Sequence, residues 1–148
     1  MQIKPVDNSQ WPTIQEIYKE AFPKSEQKPF FLLKRPVRSG KAQLWTAEED
    51  GQLLGFLLAD IWKDLVLVDY LAVSSKSRGK GTGSQLLHHV MEQYTGKRVL
   101  CVEIGGGQME VLRWGGPVTA EEYLGIQRHA MGGLLYRLSH TRVLPAVT

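Results

Sequence analysis

The stretch Asp69-Tyr70-Leu71-Ala72-Val73-Ser74-Ser75-Lys76-Ser77-Arg78-Gly79-Lys80-Gly81-Thr82-Gly83-Ser84 decides the fold. It closes an apolar run from Leu65 to Val73 that only Asp69 interrupts, and a strand apolar on both faces belongs in the middle of a sheet. The strand ends near Val73, a glycine-rich turn follows, and a helix begins near Ser84. The first amides of a helix have no partner within it and point outward, and the helix dipole adds partial positive charge at the same end. Glycines at 79, 81 and 83 let backbone approach phosphate oxygens, and Arg78 and Lys80 add charge. The loop is therefore predicted to receive a pyrophosphate. Its spacing excludes a Walker loop, which needs four residues before Gly-Lys-Ser/Thr, and a dinucleotide fingerprint, which needs Gly-x-Gly-x-x-Gly. The competing reading is a plain strand-to-helix turn.

Working outward, Ile14, Ile17, Tyr18, Ala21 and Phe22 recur at helical spacing, with Pro12 near the start and Pro23 after the end, and predict a helix over 12–22. Residues 23–40 read as a loop with a short second helix. Gln43 to Glu48 and Leu53 to Asp60 flank Glu49-Asp50-Gly51 as a hairpin. Leu86, Leu87, Val90, Met91 and Tyr94 share one face of a helix over 84–94, and His88 and His89 fall on its polar face. Lys97 to Ile104 reads as a strand. Gly105-Gly106-Gly107 then leads at once into a second strand over 108–114, so these two are predicted to pair antiparallel. Thr119 and Glu122 form a capping box for a helix from Ala120 to about Ser139, kinked at Gly132-Gly133, and the tail from Thr141 is predicted to fray.

The 148 residues are one domain by length, 1–148, with no repeat or linker. The formal charge of +3 and pI of about 9.0 suit a phosphate-bearing small ligand. They argue against nucleic acid, which calls for a basic stripe with exposed aromatics. The one cysteine, Cys101, lies in Val99-Leu100-Cys101-Val102 and reads as a buried small hydrophobe. No signal-peptide core and no apolar run of membrane-spanning length is present, so no membrane partner is expected and the cytoplasm is the expected setting.

Leu71-Ala72-Val73, a short spacer, then Arg78-x-x-Gly81-x-Gly83 and an apolar helix resemble the acetyl-CoA motif of the GNAT superfamily of N-acetyltransferases. The upstream order, with Glu20-Ala21-Phe22-Pro23 and a three-stranded meander, is similar as well. The resemblance implies an α/β (α+β) fold: a mixed, mainly antiparallel sheet flanked by helices. It implies acetyl-CoA as co-substrate and an amine as acceptor. It also implies a bulge that splays the motif strand from the next one. The Leu71 and Val73 backbones would then hold the pantetheine arm, and the amides of Arg78, Gly79, Lys80, Gly81, Thr82, Gly83 and Ser84 the pyrophosphate. Acetyl transfer needs a base to neutralise the amine, a donor for the oxyanion, here a backbone N–H near Ala72 or Val73, and a proton for the thiolate.

Family members often supply that proton from a tyrosine in a stretch like Phe-Tyr-x-x-x-Gly-Phe after the fifth strand. Here Val102-Glu103-Ile104 runs straight into the glycines, so the chain reads as a member with a shortened C-terminal half and an added C-terminal helix. The base candidates are Asp69, which reads equally as a strand aspartate satisfied by a backbone amide, and Glu103, which reads equally as exposed beside a turn. Tyr123 is the candidate acid, with packing against Leu124, Ile126 and Met131 its competing role. Tyr94 and Tyr136 read as packing residues, and Tyr70, next to the expected bulge, is a further conceivable acid that nothing else in the sequence supports. Glu20 and Glu26 either line the acceptor entrance or are solvated. His88, His89, His129 and His140 have no metal-ligand company, and no metal site is expected. The alternatives to an acetyltransferase are a coenzyme A-binding protein of low turnover and an interaction domain on the same scaffold. The strand edge near Trp114 could pair with a second copy as a homodimer.

Overall fold

The computed structural model describes residues 1–105 and 108–131, with the side chains of residues 102–112 outside that description. The elements run β1 (Gln2–Pro5), α1 (Trp11–Ala21), α2 (Phe31–Arg38), β2 (Ala42–Glu49), β3 (Gln52–Trp62), β4 (Leu65–Val73), α3 (Thr82–Gln93), β5 (Arg98–Gly105), β6 (Gln108–Trp114) and α4 (Ala120–Met131). The six strands form one sheet in sequence order. Every neighbouring pair is antiparallel except β4 and β5, which run parallel. A parallel neighbour needs a crossover connection, and α3 supplies it.

The apolar runs of β3 and β4 sit mid-sheet because both faces are covered. On one face α3 lays Leu86 and Val90 on Trp45, Leu57, Ala59, Val66 and Val68. On the other, α1 packs Ile14, Ile17 and Tyr18 against Leu44, Phe56, Leu58, Tyr70 and Ala72. Farther along that second face, α4 buries Ile126 against Leu65, Leu67 and Leu100, and it also packs on α2. Gly125 permits the approach of α4, since a Cβ there would stand 2.5 Å from the edge of the Trp62 ring.

The predicted helices, hairpin and strands are all present. β5 and β6 pair antiparallel from Val99 opposite Trp114 to Gly105 opposite Gln108, with no helix between them, as the triglycine junction predicted. The capping box forms: Glu122 N–H donates to Thr119 Oγ1 at 3.1 Å, and Thr119 N–H donates to Glu122 Oε1 at 3.2 Å. Two readings need correction. The meander has four strands, because β1 pairs with Trp45–Glu48. Its four residues are too few to show alternation. His89 is not on a solvated face: its ring packs on Trp45 with centroids 4.6 Å apart, and its Nε2 is buried with no hydrogen-bond partner among the described residues. The cause is that α3 crosses β2 as well as β3 and β4, so Trp45 reaches the flank of the helix. The remainder of the last predicted helix, including the Gly132-Gly133 kink, Tyr136, His140 and the tail, lies outside the described residues, as do Gly106 and Gly107.

Arg98 ties the start of β5 to α4. Its guanidinium takes both Asp64 oxygens at 2.9 Å, donates to the Pro117 carbonyl at 2.9 Å, and forks onto Glu122. Hydrogen bonds from Arg98, then from Thr119, hold the Glu122 carboxyl down at about 2. A depressed carboxylate stabilises the fold above its unfolded pKa and loses that contribution as the pH falls through its folded value. Protection of the α4 amides in hydrogen exchange should therefore fall as the pH is lowered from 4.5 toward about 2, and Glu122→Gln should remove most of that dependence. Separately, Gly125→Ala should destabilise the protein by about 1–3 kcal/mol in urea denaturation, because the indole edge has to move.

Candidate functional site

β4 carries one residue more than β3 can pair. Leu58 faces Tyr70 and the next residue, Ala59, faces Val68, so Asp69 is the extra residue of a bulge. A bulge reverses the alternation of side chains beyond it. Leu67 and Tyr70 consequently lie on the same face, the one covered by α1, α2 and α4. Pairing with β5 runs from Leu65 opposite Arg98 to Val68 opposite Cys101 and stops there. Beyond the bulge, Tyr70 to Val73 remain bonded to β3, while β5 continues alongside β6. The β5-facing edge of Leu71, Ala72 and Val73 has no strand partner among the described residues.

That free edge leads directly into the glycine loop. Ser74 N–H donates to the Leu54 carbonyl at 2.8 Å, and Ser75 N–H donates to Glu20 Oε1 at 3.0 Å, which fastens the loop to β3 and α1. The chain then turns through Gly79 and Gly81, and Gly81 caps α3 at a φ of 76°, a conformation glycine adopts without strain. No side chain caps α3, and the first helical bond comes from Gln85 N–H to the Gly81 carbonyl. The amides of Thr82, Gly83 and Ser84 thus point out of the helix at its positive end. Arg78, Lys80 and Thr82 stand in the same turn, and among the described residues Arg78 and Lys80 make no ion pair.

On the opposite face, the bulge sits over a cluster of buried ionisable groups. Lys28 Nζ lies 3.0 Å from Asp69 Oδ2, with side-chain exposures of only 8% and 15%. Asp60, on β3, is 1% exposed, and among the described residues neither of its oxygens has a hydrogen-bond partner. The loop bearing Lys28 is pinned by two phenols: Tyr18 donates to the Lys28 carbonyl at 3.0 Å, and Tyr70 donates to the Glu26 carbonyl at 3.0 Å. Burial opposes a charge on Lys28, but the Asp69 and Asp60 carboxylates outweigh it and raise its pKa. Burial pushes Asp60 well above the carboxylate range, with the charge of Asp69 adding to the shift. Tyr123, from α4, lies within electrostatic reach of Asp69, Lys28 and Asp60; burial first, then Asp69, pushes its phenol up to about 12.

Over residues 11–106, well over half its length, the sequence matches the family model described as the acetyltransferase (GNAT) family. The chain belongs to the GNAT acetyltransferase family. Solved structures share the fold at low identity. A GNAT-family acetyltransferase from Bacteroides thetaiotaomicron is 16% identical, with a TM-score of 0.70 over 90% of this chain and 99% of that one. A GNAT acetyltransferase from Brucella melitensis, solved with acetyl-CoA, is 20% identical, with a TM-score of 0.62 over 78% and 88%. The ribosomal-protein-S18-alanine N-acetyltransferase of Escherichia coli is 14% identical, with a TM-score of 0.62 over 71% and 68%. No curated protein matches the sequence.

Within this GNAT chain the predicted site residues divide in two. Leu71, Ala72, Val73 and Arg78 to Ser84 form one continuous strand edge and loop. Asp69 is the bulged residue itself, and its partner is the Lys28 ammonium rather than a backbone amide. Tyr123 packs beside Leu65, Leu67 and Ile126, which is the packing role expected of it, and it lies within electrostatic reach of Asp69. Glu103 stands in β5 opposite Glu110, and its side chain lies outside the described residues. Tyr94 accepts from Trp45 Nε1 at 3.3 Å and is a packing residue. Glu20 is exposed, and its Oε1 accepts from Ser75 N–H. Among the described residues no group of three or more His, Cys, Asp or Glu could hold a metal ion.

Sequence reading missed Asp60 and Lys28. The signal for Asp60 was present: an acid inside the apolar run Leu57-Leu58-Ala59-Asp60-Ile61-Trp62, the same anomaly that singled out Asp69. Lys28 gives no such signal, because it reaches Asp69 across 41 residues of chain. Lys28→Met should cost about 3–5 kcal/mol in denaturant unfolding, since it strands Asp69 in a poorly solvated place, and Lys28→Arg should recover part of the loss.

Proposed function

We propose that the chain is an acetyl-CoA-dependent N-acetyltransferase that moves an acetyl group to an amine. The observation that carries this is the unpaired β4 edge at Leu71 to Val73, which opens at the Asp69 bulge and runs into uncapped amides at α3. The pyrophosphate would rest on the amides of the Arg78–Ser84 loop, with Arg78 and Lys80 adding charge. The pantetheine arm would bond to the Leu71 and Val73 backbones like a short strand. The loop opens on the α3 side of the sheet and the Asp69 cluster lies on the other. An arm lying between β4 and β5 therefore delivers the acetyl group beside Asp69.

There the amine nitrogen attacks the thioester carbon. A backbone N–H near Ala72 or Val73 donates to the oxyanion, and the C–S bond breaks. Asp69 takes the acceptor's proton. Tyr123, whose hydroxyl accepts from Gln127 Nε2 at 3.2 Å and so keeps its own hydrogen to give, supplies the thiolate. Among the described residues no helix is long and apolar enough to cross a membrane. A cytoplasmic setting belongs to the same proposal, as does a homodimer joined along the outer edge of β6, which no further strand covers among the described residues.

Acetyl-CoA at a hundred times its Kd should stabilise the protein by about 2.7 kcal/mol, read as a thermal shift. Gly81→Glu should abolish the shift, because a carboxylate in the loop repels and blocks the pyrophosphate. Gly81→Asn, which tolerates positive φ, should keep most of it. A wild-type protein that shows no shift contradicts the assignment.

A further inference from the structure

The eight residues of α2 present two faces. Leu32, Leu33 and Pro36 are buried against the protein. Phe31, Lys34, Arg35 and Arg38 recur at i, i+3, i+4 and i+7, so they share the outer face. With Ser39 they line an open groove of about 410 Å³. Phe31 is 59% exposed, and Met1 is the only other large apolar residue so exposed among the described residues. Lys34 Nζ lies 5.4 Å from the centre of the Trp11 ring, which holds it at the groove wall. Arg35 and Arg38 make no ion pair among the described residues. Basic side chains at a helix end often satisfy its last carbonyls. Here the backbone does that: the Arg35, Pro36 and Val37 carbonyls accept from the N–H groups of Ser39, Lys41 and Gly40 at 2.9, 2.8 and 3.3 Å. The helix dipole favours a cation in the last turn, but it does not account for an exposed phenyl ring sharing a groove with three of them.

We propose that this face of α2 docks an acidic polypeptide segment that carries one large apolar side chain. Charge complementarity selects the occupant. The groove is lined by three cations and no anion, and their charge equals the chain's whole formal excess of +3. The rest of the chain is formally balanced, so no extended basic track serves a nucleic-acid backbone, whose binding grows with the number of phosphates neutralised. A lipid surface needs an apolar helix face to bury, and α2 has already committed Leu32, Leu33 and Pro36 to the core. Residues 132–148 contain Arg137 and Arg142 and no acidic side chain, so they offer the groove no complement. An acidic peptide matches the spacing. At 1.5 Å per residue Arg38 stands about 10 Å along the axis from Phe31, with Lys34 and Arg35 between them. A helical segment with a large apolar residue followed by glutamates at that spacing sets its apolar side chain on Phe31 and its carboxylates on the cations. Arginine takes a carboxylate with two parallel hydrogen bonds, which favours an ordered acidic motif over loose counter-ions. Docking needs no coenzyme and does not rest on the acetyltransferase reading above.

Fluorescence anisotropy with a labelled peptide, in which a leucine is followed by glutamates at i+3, i+4 and i+7, tests the face directly. The peptide should bind saturably at low salt and more weakly as salt is raised, because exposed charges are screened. The same peptide with glutamine in place of glutamate should bind at least about tenfold more weakly. The double variant Arg35→Glu, Arg38→Glu should weaken binding of the acidic peptide by at least about tenfold as well. Phe31→Ala should weaken it about fivefold or more. These side chains are exposed, so both variants should keep the wild-type circular dichroism and melting temperature. Where charge reversal disturbs folding, Arg35→Gln with Arg38→Gln removes the same pairs and should still weaken binding. Absence of saturable binding overturns the proposal, as does equal binding of the glutamine peptide or unchanged binding by either variant. Tighter binding of a single-stranded oligouridylate, or of phosphatidylserine vesicles, that the double variant loses overturns it in favour of nucleic acid or a membrane surface. Self-association in sedimentation that the double variant abolishes overturns it in favour of a second copy of the chain.

Discussion

Asp69 is one residue too many for β3 to pair, and most of the architecture follows from where that surplus residue goes. Its insertion turns β4 so that pairing with β5 ends at Val68 and Cys101. The backbone from Leu71 to Val73 loses a neighbour on one side and becomes available to a ligand. The same insertion reverses the side-chain phase, which brings Asp69 and Tyr70 together on the face beneath α1, α2 and α4. An opening in the sheet and a polar floor beside it are thus two results of one extra residue.

A bulge that exposes backbone and buries a carboxylate is costly, and the surroundings compensate. Lys28 neutralises Asp69, and Tyr18 and Tyr70 hold the loop that carries Lys28 by its Lys28 and Glu26 carbonyls. The tyrosines also pack edge-on with ring centroids 5.1 Å apart, so their aromatic bodies contribute core packing while their hydroxyls fix the polar loop. Asp60 has no comparable structural task.

The direct junction of β5 and β6 reshapes the second half. The α-helices described after β4 are α3 and α4, and α4 packs on the face of α1 and α2. Arg98 holds its N-terminus against β5, and Gly125 lets it settle on Trp62. This placement carries Tyr123 to the Asp69 cluster. The helix joins the core through Ile126, with Tyr123 packed beside it.

The sequence by itself determined the elements that rest on local physics. Spacing of apolar residues marked α1, α3 and the strands from β2 onward. Glu49-Asp50-Gly51 marked the hairpin, Thr119 with Glu122 the start of α4, and the glycines at 79, 81 and 83 the uncapped turn that opens α3. Sterics and short-range hydrogen bonds act within a few residues, so they are written in adjacent letters. Asp69 stood out as an acid in an apolar run, but its neighbours in sequence do not say what satisfies it. Only the tertiary structure decided that Asp69 is the bulged residue, that Lys28 pairs with it, that β1 closes the edge and that His89 lies on Trp45. Each of these depends on strand register or on contacts across tens of residues. Register is set by the sum of many weak packing interactions over the whole sheet, and that sum exists only once the chain is folded.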